Sequence, residues 1–158
     1  MKKQPWQEVL SSTVGICGGI GGISIITYLT GYPLLIASFG ASAVLLYAAP
    51  NAPMAQPKNL FCGHGIASFI GALCYLAMGE TWYSITIAVT AAILLMMFTG
   101  TLHPPGGATA IVTVLSHGNF MFILFPVLLG AAILFVVAFL ANKISPYRAY
   151  PNHDAISR

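Results

Sequence analysis

The sequence predicts an all-α integral membrane protein: a polytopic helical bundle of two inverted three-helix repeats, each with a broken half-helix at its centre. Three observations predict it. First, the 158 residues are 58% hydrophobic and only 6% charged, with a mean hydropathy of +0.86. Soluble domains carry roughly a quarter charged residues. A soluble fold with so few charges cannot cover its surface, so lipid must be the solvent for most of it. Second, several apolar stretches approach or reach bilayer length. Third, a short segment recurs at the same place in both halves.

The clear spans are residues 9–29, 60–78, 81–99 and 120–142, each near the roughly 20 residues that cross the hydrocarbon core. The first follows Met1-Lys2-Lys3 and imitates a signal peptide. Its apolar run is too long for one and no small-x-small site closes it, so it is expected to be a retained span. Two shorter apolar stretches, 33–49 and 104–116, begin with Pro or Gly punctuation and read as broken spans or re-entrant hairpins. Gly40-Ala41-Ser42-Ala43-Val44 in one resembles Gly107-Ala108-Thr109-Ala110-Ile111 in the other, 67 residues later. A long span precedes and follows each. The chain therefore reads as a single membrane domain over 1–158: repeat 1 at about 9–78, repeat 2 at about 81–142, and a cytoplasmic tail at 143–158.

Charge separates two topologies. Between Val9 and Asn142 only Lys58 and Glu80 carry a fixed charge. If both broken elements cross, the chain makes six crossings, with the termini and Lys58 on one side and Glu80 opposite. If both re-enter, Lys58 moves to the other side. The positive-inside rule favours six crossings, with both termini cytoplasmic and, in a bacterium, the inner membrane as the location. The net charge of +3 is then a membrane-flank signal and implies no nucleic acid. Cys17, Cys62 and Cys74 show no CxxC spacing and read as small buried hydrophobes. Gly15/Gly19 and Gly18/Gly22 on the first span argue close helix packing, within the chain or in a homodimer, since a lone bundle this small is expected to pair.

The densest chemical signal is His103-Pro104-Pro105-Gly106-Gly107-Ala108-Thr109. The prolines remove backbone donors, and the second keeps Pro104 out of the helical region. A helix can begin at about Pro105 or Gly106. Its first N–H groups and positive dipole end, together with the Thr109 hydroxyl, make an anion site in physical terms. The first repeat offers a counterpart in Ser38, Gly40, Ala41 and Ser42. In an inverted pair the two half-helix starts meet near the bilayer midplane, giving a cationic site without lysine or arginine. Gly, Ala, Ser and Thr are also ordinary packing residues between membrane helices, which is the competing reading for Gly40 and Ser42.

His64 and His103 are the histidines inside the apolar region, and an ionisable group there is a functional candidate. His64, Ser68 and Gly71 share one helical face that can line a pathway. His117 and His153 read as solvated. No carboxylate or cysteine stands at ligand spacing from either inner histidine, so no metal is expected, and nothing calls for a cofactor. Gly40-Ala41-Ser42 with a histidine imitates an intramembrane serine protease, but Ala43 follows the serine where a small-Gly turn is needed. No enzyme is expected.

Leu102-His103-Pro104-Pro105-Gly106-Gly107-Ala108 resembles the signature that names the HPP family of membrane proteins. A second block does too: Ser38-Phe39-Gly40-Ala41-Ser42-Ala43-Val44-Leu45-Leu46-Tyr47, then Pro53 to Asn59, then Gly63-His64. Members are described as nitrite transporters in plastids and photosynthetic bacteria, usually with fewer than six spans. The resemblance implies transport of a small inorganic anion, nitrite first. By motif position it draws in His103, Gly106, Gly107, Ser38, Gly40, Ser42 and His64, with Gln56 and Asn59 as a secondary motif. A non-transporting membrane scaffold is the alternative.

Overall fold

The computed structural model describes residues 5–152, which form helices and connecting turns with no strand among them. His153, Asp154 and Arg158, and Lys2 and Lys3 at the other end, lie outside the described residues. The helices are α1 (Trp6–Thr30), α2 (Ser38–Ala48), α3 (Pro57–Met78), α4 (Trp82–Thr99), α5 (Pro105–Leu115) and α6 (Phe120–Ile144). Four of them, α1, α3, α4 and α6, are long and apolar enough to cross a membrane; α2 and α5 are short apolar helices. The protein is a multi-pass membrane protein.

Local chemistry sets the boundaries. α1 ends at Gly31 and α4 at Gly100, with φ of 69° and 62°, a conformation that favours glycine. Thr81 and Ser84 cap the start of α4 reciprocally. Asn119 caps α6 by accepting from the Met121 and Phe122 N–H groups. α3 and α5 carry proline in their first turn, where its missing donor costs nothing. One expected span differs: α6 is interrupted at Phe125 (φ −131°, ψ 115°), just before Pro126. Its strongly apolar surroundings hide that proline from a hydropathy reading.

Both short helices run the depth of the bundle together with the extended strip before them. The Leu35 N–H reaches Thr27 Oγ1 near the end of α1, and Ser12 Oγ near its start reaches the Tyr47 carbonyl. α2 therefore returns to the end of the bundle from which α1 departs. Asn59 Nδ2 donates to the Leu102 carbonyl, which puts the strip before α5 beside the start of α3. His117 after α5 meets Glu80 in the α3–α4 turn, so α5 finishes at the far end.

The packing interleaves the halves. One buried core joins α1, α2 and α6 through Ile23, Phe39, Leu46, Tyr47, Leu134 and Ala138. A second joins α3, α4 and α5 through Ala67, Ala88, Ala92, Met96, Ala110 and Val114. The third element of each half, a long helix, thus packs with the other half's first two elements. Gly15 and Gly19 serve the first core by receiving the Tyr47 ring, whose hydroxyl donates to the Leu134 carbonyl at 3.0 Å. A Cβ on Gly22, by contrast, would meet nothing within 4 Å. Cys74 is buried as expected, but Cys17 and Cys62 face outward, because both sit on lipid-side faces of their helices.

Arg148 returns to close the end that carries both termini. Its guanidinium donates to Glu8 Oε2 (2.7 Å), the Glu8 carbonyl (2.9 Å), Ser12 Oγ (2.9 Å), the Tyr47 carbonyl (2.7 Å) and Asn142 Oδ1 (2.9 Å). Its side chain is 2% exposed. The group ties the starts and ends of α1, α2 and α6 into one block, with positive charge at the carbonyl end of α2.

Candidate functional site

The seam between the two cores is polar. α2 contributes Ser38 and Ser42, one turn apart on its buried face. α3 contributes His64. α5 contributes Thr109, and the extended strip before it contributes His103. All five side chains are buried, four of them with no exposed surface and Ser38 with 1%. Ser42 Oγ lies 2.8 Å from His64 Nε2 and 3.0 Å from His103 Nε2. His64 Nδ1 lies 2.7 Å from Thr109 Oγ1, which lies 2.9 Å from Ser38 Oγ. His103 Nδ1 lies 2.8 Å from the Met54 carbonyl. The imidazoles meet edge to face at 4.9 Å, and the Phe39 ring closes the other side of His64 at 5.4 Å.

The local sequence explains the convergence. Pro104 and Pro105 start α5 at mid-depth, so the first turn of α5 lies against the first turn of α2, the two helices running in opposite directions. The close approach needs small residues on α3. A Cβ on Gly63 would overlap that of His103, and one on Gly71 would come within 2.8 Å of the Thr113 Cβ. Ser68 Oγ donates to the His64 carbonyl and Thr113 Oγ1 to the Thr109 carbonyl, extending the buried polar seam towards the far end. The face of His64, Ser68 and Gly71 is turned inward, as its spacing predicts.

The chain matches the HPP transmembrane-region family over residues 1–151. It belongs to that family. It is 40% identical to a transmembrane protein of Dictyostelium discoideum across 75% of this chain and 44% of that relative. A second Dictyostelium transmembrane protein is 38% identical across 74% of this chain and 40% of its own length. The chain thus spans under half the length of these relatives. No solved structure matches it. The His103-Pro104-Pro105 motif that carries the HPP resemblance is the strip that delivers His103 to Ser42.

The other expected residues divide. Gly106 is buried where a Cβ would meet the Gly63 carbonyl at 3.0 Å and Met96 Sδ at 3.1 Å, so it serves packing. Gly107 borders Ile93 instead of the seam, Gly40 lines an outward apolar groove with Ile16 and Ile20, and Ala41 is exposed. Ala108 is half-buried and makes no polar contact with the five. The first N–H groups of α5, expected to be free, are occupied: Gly106 donates to the His103 carbonyl at 2.8 Å and Gly107 to that of Pro104 at 3.1 Å. A tight first turn does what a ligand was expected to do. Gln56 braces the 50–56 loop by donating to the Pro50 and Ala52 carbonyls and accepting from the Asn152 N–H. Asn59 ties α3 to Leu102. Sequence reasoning missed the Met54 carbonyl and Arg148. Among the described residues no group of three metal-ligating side chains converges.

Proposed function

We propose that this HPP protein carries a small monovalent inorganic anion, nitrite first, across the membrane, and that the anion crosses at the Ser38–Thr109 contact between α2 and α5. The observation that carries the reading is the pair of half-helices laid side by side at mid-depth around hydroxyl and imidazole groups, with no formally charged side chain against them. Two helix starts of opposite direction place positive dipole ends around one point, each favouring an anion by about 0.3–2 kcal/mol. Neutral donors hold a single negative charge weakly enough to release it. Every contact in the cluster is a neutral hydrogen bond, so an entering anion exchanges one acceptor for another without stranding a charge. On this reading the halves are inverted repeats, the bundle crosses six times, and both termini and Lys58 face the cytoplasm.

Ser42 beside His64 also matches the pairing of a nucleophile with its base. The transport reading is preferred because Ser42 is fully buried and His64 is oriented by a threonine hydroxyl in place of a carboxylate. The test is nitrite uptake by purified protein in liposomes, with nitrate, chloride and formate as competitors. Uptake above that of empty vesicles is expected. Folded protein that moves no small anion sinks the reading in favour of a scaffold.

A further inference from the structure

Away from the seam, α3 meets α6 along an outer edge defined by three contacts. The Phe61 and Phe135 rings meet edge to face with centroids 5.7 Å apart. A Cβ on Gly65 would come within 3.9 Å of Leu128 Cδ2, and the Phe69 and Phe120 rings lie 5.9 Å apart. Gly65 is half-buried and Phe69 exposed, so the surface between Phe61 and Phe69 is recessed where Gly65 has no side chain. On the bundle side Tyr150 closes this groove: its ring meets Phe135 at 6.3 Å, and its hydroxyl donates to the Ala55 carbonyl.

Two lysines stand at the terminal end of the groove. Lys58 precedes Gly65 by close to two full helical turns and so lies on the same face of α3. Lys143 stands one turn beyond Phe139, and its ammonium folds back to 4.2 Å from the centre of that ring. Phe139 in turn meets Phe135 at 6.4 Å. These contacts set the depth of both lysines. With Phe61 and Phe135 level, the backbones of Lys58 and Phe139 each stand about 4–6 Å nearer the terminal end. The two lysines therefore reach one level, on helices whose axes are about 8–10 Å apart. Both are exposed. Among the described residues neither meets a carboxylate, since Glu8 is held by Arg148 and Glu80 by His117. Lys143 rests on the face of an aromatic ring instead.

We propose that Lys58 and Lys143 hold the phosphate of one anionic phospholipid, with an acyl chain laid along the α3–α6 groove over Gly65 as far as Phe69. Lysine suits a phosphate as a point charge, and basic side chains beside the end of a membrane helix meet the headgroups of that leaflet. From Lys58 to Phe69 the face of α3 runs about 16 Å, close to half of the roughly 30 Å hydrocarbon core. The groove thus has the depth of one leaflet. A zwitterionic lipid offers the same chain, but its own ammonium competes with the lysines. A free phosphate offers the charge without the chain. An anionic phospholipid satisfies both parts of the surface. The inference stands whatever the seam carries.

The test uses the full chain in detergent, with thermal unfolding followed as phosphatidylglycerol or phosphatidylcholine of identical chains is added. A ligand of the folded state raises the melting temperature with its concentration. Phosphatidylglycerol is expected to do so at lower concentration than phosphatidylcholine. Lys58→Gln and Lys143→Gln should each weaken the affinity for phosphatidylglycerol about fivefold. Lys143→Arg keeps the charge and should keep the preference. Equal protection by the two lipids, or a preference that survives both glutamine substitutions together, overturns the site. Equal protection by inorganic phosphate assigns the lysines a free anion and overturns the lipid. Should the glutamine variants fail to fold, the native mass spectrum of the parent decides. With both lipids supplied in equal amounts, one phosphatidylglycerol retained per chain is expected, and retention without preference overturns the proposal.

Discussion

The mid-depth seam and the Arg148 staple are both buried polar networks, yet they are made of opposite materials. The staple is ionic and multidentate: one guanidinium saturated by a carboxylate, hydroxyls and backbone carbonyls, within one core. The seam is neutral and links two cores through single contacts. Removing one partner of a buried ion pair strands a charge, whereas removing one partner of a neutral pair strands at most a dipole. The transport reading proposed above calls for this division, rigid where charge is committed and exchangeable where it is not.

The largest effect should come from the staple. Arg148→Ala strips the mostly buried Glu8 carboxylate of its counter-charge, leaving it only the Ser145 hydroxyl, and should lower stability by about 3–5 kcal/mol, read as a fall in melting temperature in detergent. A loss no greater than that of a seam variant would erase the distinction between the two networks. Next, Ser42→Ala removes the junction of both imidazoles. It should cost about 1–3 kcal/mol and lower nitrite uptake far more than its stability loss explains. Wild-type uptake by a folded Ser42→Ala protein would place the pathway elsewhere. Thr109→Val should cost about 0.5–1.5 kcal/mol in the same unfolding assay. The smallest effect belongs to the far end, where the His117–Glu80 pair is exposed; Glu80→Gln should change stability by less than about 1 kcal/mol. With single cysteines labelled from outside, position 80 should react and position 58 should not, and labelling at 58 but not at 80 would contradict six crossings.

Much of this was legible in the one-dimensional pattern. Apolar length located the four long helices, and the Pro and Gly clusters located the short ones. The five seam residues stood out because His64 and His103 are the histidines of the apolar region and Ser38, Ser42 and Thr109 sit in or beside the repeated segment. What escaped did so for physical reasons. Helical phase after two prolines cannot be counted from residue spacing alone, so Gly107 was expected at the site and borders Ile93 instead. A backbone acceptor such as the Met54 carbonyl has no residue signature. An arginine beyond the last span reads as a flank charge, so its return to Glu8 was invisible. The interleaving of the two cores is a matter of which surfaces meet, which local periodicity does not encode.

That interleaving has a mechanical consequence. Every Arg148 contact named above lies among α1, α2, α6 and their ends, and the ties of His117 to Glu80 and of Asn59 to Leu102 lie on the α3–α5 side. Across the boundary run Ser38 to Thr109 and Ser42 to the two imidazoles. Separating one core from the other would part those hydroxyls, together with the Phe61–Phe135 and Phe39–His64 ring contacts, and leave the staple whole. On the transport reading, the atoms proposed to hold the cargo are also those that fasten one core to the other.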